Sequence, residues 1–101
     1  MVQKTVFRLL YFMKGKKKSK GSGSLLDEQQ ETIKKIGARI KALRIAKGHS
    51  SYEIFAYEHD IDRSQYGKYE RGVDMRISSL VKIFAVLDVT LEEFFSEGFN
   101  D

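Results

Sequence analysis

From Gln29 to Lys47 the apolar residues Ile33, Ile36, Ile40, Leu43 and Ala46 recur three or four positions apart. That period places them on one side of an α-helix, opposite Lys34, Lys35, Arg39, Lys41 and Lys47. Gly48 supplies the usual C-terminal stop. A stripe this long needs partners, and the rest of the chain offers only more helices. Ser50 or Ser51 caps a second one, running to about Glu58. "HDID" at 59–62 is a tight connection. Asp62 caps a third helix that ends near Arg71, and Gly72 stops it. "VDMRI" is a loop. Ser78 or Ser79 opens a fourth helix with Leu80, Ile83, Phe84 and Leu87 as its buried stripe. "DVT" is another break, and Thr90 caps a fifth helix, "LEEFFSE". No proline interrupts these runs, and no strand pattern or internal repeat stands out. The expected fold class is all-α, a compact five-helix domain.

Charge divides the 101 residues differently. Residues 1–24 carry Lys4, Arg8, Lys14, Lys16, Lys17, Lys18 and Lys20 and no acid, a local charge of +7 within a total of +4. The other 77 residues are left with 11 bases against 14 acids, or −3. The basic pI therefore belongs to the tail, and any basic patch on the folded part must be local. "VFRLLYFM" at 6–13 is too short to span a bilayer. "KGKKKSK" and "GSGS" read as a flexible linker. The expected organisation is a basic N-terminal arm over 1–24 and a folded domain over 25–101. The bland reading of the arm is a solvated tail. The sharper one has Lys17 and Lys18 following a phosphate backbone. The chain has no cysteine, which removes disulfides and thiolate metal sites and fits a cytoplasmic setting.

The stretch "DRSQYGKYERG", 62–72, shows how the third helix is used. At about 100° per residue, Arg63, Gly67, Arg71, Ser64 and Lys68 share roughly 140° of arc. Tyr66 and Tyr69 lie on the opposite side, so the tyrosines pack and the polar arc faces solvent. Gly67 weakens the helix by about 1 kcal/mol. Close approach of another molecule's backbone to the arc is a reason to tolerate that cost. Two short helices joined by a three- or four-residue turn fit a helix-turn-helix.

From about Ile36 to Phe95 the chain resembles the phage-repressor-like helix-turn-helix family, of Cro/repressor or xenobiotic-response-element type. The stretches that carry the resemblance are "IGARIKALRIAKG", "SYEIFA", "IDRSQYGKYERG" and "SLVKIFAVLDVTLEEFF". Ala56 matches the small residue of the motif's first helix and Ile61 the apolar residue after the turn. Tyr66 and Tyr69 match two core positions. Asp60 replaces the usual turn glycine, and Tyr52 stands where the family often has a phosphate-gripping glutamine. The resemblance implies a sequence-specific transcriptional regulator that binds double-stranded DNA through the major groove. It implies base reading by Arg63, Ser64 and Lys68, with Gln65 reaching a base or a phosphate. Tyr52, Arg71 and Arg76 become phosphate contacts, and Arg44 with Glu70 a structural ion pair. The same fold also serves protein-interaction modules, such as the antitoxin of a toxin–antitoxin pair, so a protein partner is the alternative.

Other features have plainer readings. His49 and His59 lack metal-ligand spacing and read as surface histidines. "GKKKSKGS" has the wrong order for a phosphate loop. Glu92 and Glu93 suit the start of a helix. No enzyme activity, cofactor, metal, small-molecule ligand or membrane association is expected. Leu91, Phe94, Phe95 and Phe99 crowd nine positions. Leu91 and Phe94 or Phe95 should close the core, and the surplus is expected to serve a homodimer interface, Phe95 and Phe99, unless Phe99 folds back on its own domain. Asp88, Glu92, Glu93, Glu97 and Asp101 make this end acidic and turn it away from DNA. No room is expected beyond helix five for a ligand-sensing domain, which leaves regulation to abundance, partners or promoter competition.

Overall fold

The computed structural model describes residues 22–100, with side chains from residue 25 onward. The expected arm falls mostly outside these residues, and Lys17 and Lys18 with it. Five helices make up the described chain: α1 Ser22–Ala46, α2 Tyr52–Glu58, α3 Arg63–Glu70, α4 Ile77–Leu87 and α5 Leu91–Phe94. The compact body runs from Thr32 onward, and the packing described below belongs to it.

Helix α1 starts earlier than its apolar rhythm predicts. The "SGS" of the expected linker is its first turn, and "LLDEQQE" continues it. Leu, Glu and Gln are good helix formers without any packing. Periodicity marks where a helix is buried, not where it begins. Past Ala46 the chain reverses at Gly48, as the stop residue predicts.

Ser51 caps α2, its side chain accepting from the Ile54 amide at 3.2 Å. The turn that follows holds Asp60 at φ 59°, the left-handed region that glycine would occupy without strain,. The Ile61 amide closes the turn on the Ala56 carbonyl at 2.8 Å. Asp62 caps α3 by accepting from the Gln65 amide at 2.9 Å. Helix α4 departs from expectation at its start. Arg76, in extended conformation, precedes Ile77 and gives no side-chain cap, while Ser78 and Ser79 lie inside the first turn. Thr90 caps α5 as expected and forms a capping box with Glu93, at 3.0 and 2.9 Å,.

Helix α5 is one turn long and stops before the expected "FSE". Its last carbonyls are taken by side chains. Arg39 donates to the Phe94 carbonyl at 2.6 Å and the Glu93 carbonyl at 2.7 Å, and Ser96 donates to Glu93 at 2.7 Å. Arg39, expected on the free basic face of α1, instead ties α1 to the end of α5.

The core joins Ile40 and Leu43 of α1, Phe55 and Ala56 of α2, Tyr66 and Tyr69 of α3, Ile83, Phe84 and Leu87 of α4, and Phe94 of α5. Leu91, expected to help close it, is 64% exposed. Phe94, expected there beside it, does close the core, its ring 4.8 Å from Phe84 and 4.9 Å from Phe95. Phe99 folds back on its own domain, 4.9 Å from Phe95 and 6.1 Å from Phe94. The aromatic surplus offered for an interface thus packs, half-buried, within the body. The histidines also differ from the surface reading. His49 and His59 are half-buried against the Phe55 ring, at 4.9 and 4.5 Å.

Gly37 explains how α1 meets α3. A Cβ there would stand 2.6 Å from the Tyr69 carbonyl oxygen, 2.8 Å from that of Glu70 and 2.9 Å from the Gly72 amide nitrogen. The backbones therefore touch, and any side chain at 37 would force them apart. The end of α3 is fixed at this crossing.

Candidate nucleic-acid interface

Two devices hold α3 against the rest of the body. The first is its buried edge. Tyr66 is wholly buried, and its ring lies 5.4 Å from Phe55 and 6.4 Å from Tyr69. Burial, helped by the neighbouring Glu70, pushes the Tyr66 phenol well above its ordinary value of 10.0,. The hydroxyl makes no hydrogen bond of good geometry, so burial is the larger cause. The second device is an ion pair. Arg44 meets Glu70 through Nε–Oε2 at 2.6 Å and Nη2–Oε1 at 3.1 Å, and it also donates to the His49 carbonyl. The side chains are 3% and 7% exposed. The Glu70 carboxylate, by hydrogen bond and charge, raises the Arg44 pKa despite burial. The bidentate contact links α1, α3 and the turn after α1, and Glu70 is occupied structurally.

The other edge of α3 is open. Arg63, Ser64, Gln65, Lys68 and Arg71 are exposed. Gln65 turns partly sideways, its side-chain amide donating to the Tyr69 hydroxyl at 3.3 Å. An open cleft of about 300 Å³ is lined by Tyr52, Glu53, Arg63, Ser64 and Arg71. It gathers four of the residues singled out from the sequence. Lys68 stands exposed on the same helix. Arg76 is exposed at the start of α4.

Gly67 is not on the open face as the helical wheel implied. It is buried, covered by the Tyr52 ring and the Arg71 guanidinium. The wheel placed the residue correctly in angle but knew nothing of the side chain that α2 lays across it. Sequence reasoning also missed Glu53 in the cleft, Arg39 at α5 and Gly37 at the crossing. Gly37 had left a signal: a glycine inside a strongly periodic helix costs about 1 kcal/mol and asks for a packing reason.

The exposed polar helix, mounted on a second helix by a tight turn, has relatives. The chain is 39% identical over 64 residues to control protein C.MunI of Mycoplasma sp, a match covering 62% of this chain and 86% of that one. The chain belongs to the control-protein family of helix-turn-helix regulators. In structure it is similar to the restriction-modification controller protein C.AhdI from Aeromonas hydrophila, with a TM-score of 0.57 and 35% identity, covering 64% of this chain and 98% of that one. No family model matches. Membership makes the chain a DNA-binding transcriptional regulator of repressor-like fold. Neither relative supports the antitoxin alternative, and both are named as controllers, not enzymes. Among the described residues no helix is long and apolar enough to cross a membrane.

Proposed function

We propose that this control protein regulates restriction-modification genes by laying α3 in the major groove of their promoter DNA. The observation that carries the reading is the cleft beside α3, where Arg63 and Ser64 share one opening with Tyr52 and Arg71. Arg63 and Lys68 each present donors suited to the O6/N7 edge of guanine, and Ser64 suits either acceptor or donor edges. Gln65 adds a base or phosphate contact at the edge of the arc. Tyr52, Arg71 and Arg76 bind phosphates, and Lys17 and Lys18 extend the phosphate track from the arm. The net −3 of residues 25–101 makes these local cations, not bulk charge, the source of affinity. Two copies acting as a homodimer on half-sites about one helical turn apart fit such a reader, and the setting is the cytoplasm, where the DNA is. No small-molecule ligand enters the mechanism.

The test is selection of a bound fraction from a randomised duplex pool, read by fluorescence anisotropy over a salt series. The wild type should enrich a motif. Arg63→Ala should relax one position of that motif by about 1–3 kcal/mol and leave thermal stability unchanged, because the side chain is exposed,. A wild-type pool with no enriched motif would sink the reading.

A further inference from the structure

The missing side chain at Gly67 is filled by two others. A Cβ built there would lie 3.1 Å from Arg71 Nη1, 3.1 Å from Tyr52 Cε1 and 3.4 Å from Tyr52 Cζ, the carbon that bears the hydroxyl. Those distances are tighter than ordinary carbon contacts. The hydroxyl edge of one ring and one guanidinium therefore converge over the same backbone atom. The Tyr52 ring is held from a second side as well. It stacks on Tyr66 with centroids 6.3 Å apart and planes 24° apart, and Tyr66 is wholly buried. Arg71 is exposed, so its guanidinium stays available to a ligand. Both side chains line the cleft beside α3.

We infer that Gly67 is a positioning residue, whose missing side chain seats the Tyr52 hydroxyl and the Arg71 guanidinium together as a clamp for one DNA backbone phosphate. The inference rests on the DNA-reading role of α3 proposed above and assigns this pair a joint task within it. A guanidinium offers paired donors that match phosphate oxygens, and a phenol adds a third from a fixed direction. Glu53 lines the same cleft and repels a free anion, so the clamp suits a phosphate that a docked duplex delivers. The glycine also accounts for the tyrosine at position 52. An aromatic ring reaching across from α2 needs the space that any side chain at 67 would take.

The full chain is tested on the duplex selected from the pool, by anisotropy across a salt series. Tyr52→Phe should weaken binding several-fold without changing the salt slope, since it removes a neutral donor. Arg71→Gln should lower the slope by about 0.9, the effect of one lost phosphate contact. Gly67→Ala should do both, weakening binding about tenfold on specific and random duplexes alike, with base preferences intact. Added to the Tyr52→Phe/Arg71→Gln pair, Gly67→Ala should cost nothing more. Wild-type binding by Gly67→Ala overturns the inference, and so does an equal loss in the double-variant background, which would mean that Gly67 acts only through the fold. Should Gly67→Ala fail to fold, Tyr52→Phe decides, because it leaves ring and glycine in place; wild-type affinity there overturns the clamp. If Arg63→Ala relaxes a base position while Gly67→Ala is silent, only this inference fails. If the wild type enriches no motif, the reading of α3 fails and takes the clamp with it.

Discussion

The α2–α3 region and the α4–α5 region are both built on aromatic rings, but the rings differ in kind. Under the reading helix they are tyrosines with one phenylalanine: Tyr52, Phe55, Tyr66 and Tyr69. Around α5 they are all phenylalanines: Phe84, Phe94, Phe95 and Phe99. A phenylalanine cluster gives apolar burial and nothing else. A tyrosine edge buries a ring while leaving a hydroxyl for the polar neighbours that a charged face brings. One region closes the core. The other must close it and also set polar side chains in place. Substitutions in the first should act on stability alone, whereas those in the second should separate stability from DNA binding.

The largest effect should come from the region with the simpler task. Phe94→Ala removes a wholly buried ring and should cost about 3–5 kcal/mol of unfolding free energy. Denaturant unfolding measures it. The folded fraction should still bind its duplex with wild-type affinity, because the rings beside Phe94 are Phe84, Phe95 and Phe99, none of them on α3. A loss of affinity per folded molecule would break the comparison.

Glu70→Ala comes next. It strands the Arg44 guanidinium at 3% exposure, and removing one partner of a buried pair costs about 3 kcal/mol or more. Replacing both, as Arg44→Met with Glu70→Leu, should recover much of that stability. If the pair also sets the angle of α3, the double variant will fold well yet bind DNA poorly. A double variant that folds and binds normally would reduce the pair to a stability element.

These expectations show which features were legible in the sequence. Asp62 and Thr90 were readable as caps, and Ser51 as one of two candidates beside Ser50, because a cap answers to amides two or three residues away. Gly48 and Gly72 were readable as stops, and Tyr66 and Tyr69 as the packed edge, for the same local reason. Gly67, Gly37, Arg39 and Leu91 were misread or missed. For the first three the cause lies on another helix: Tyr52 over Gly67, the α3 carbonyls against Gly37, and the end of α5 at Arg39. Leu91 shares α5 with Phe94, and that single turn buries Phe94 and leaves Leu91 exposed. The cleft was half-visible. Its cations could be named from α3, but Glu53 entered only when α2 was set beside it. The start of α1 was missed for the opposite reason, since intrinsic propensity extends a helix where no packing pattern marks it.

A smaller effect separates the two aromatic clusters by pH. Burial raises the Tyr66 phenol above 10.0, so the folded chain keeps a proton that the unfolded chain loses. The resulting stability is fully present below about pH 10 and falls as pH rises above it, by at most about 1.4 kcal/mol per pH unit. Unfolding followed between pH 9 and 11 should show the wild type losing stability faster than Tyr66→Phe. Equal slopes would mean that the phenol escapes burial at high pH. The phenylalanine cluster has no counterpart to this effect.

The smallest expected change is a gain. Asp60 holds the turn between α2 and α3 at φ 59°, a conformation that costs a side-chain-bearing residue about 1 kcal/mol relative to glycine. Aspartate is among the residues that tolerate it best, so Asp60→Gly should raise stability by less than that, about 0.5 kcal/mol. A second strained aspartate, Asp88 at φ 59°, ends α4 and supplies the matched control in the other region. Asp88→Gly should give a similar gain. The two should differ in binding. A looser turn at 60 sits between the helices that hold the cleft, and freedom there must be lost again when DNA docks. Asp60→Gly should therefore bind slightly more weakly while being slightly more stable, and Asp88→Gly should bind as the wild type does. Paired thermal melts and anisotropy titrations on the two variants measure both quantities. Identical binding by the pair would mean that the Arg44–Glu70 contact and the tyrosine packing already fix α3, with the turn adding nothing.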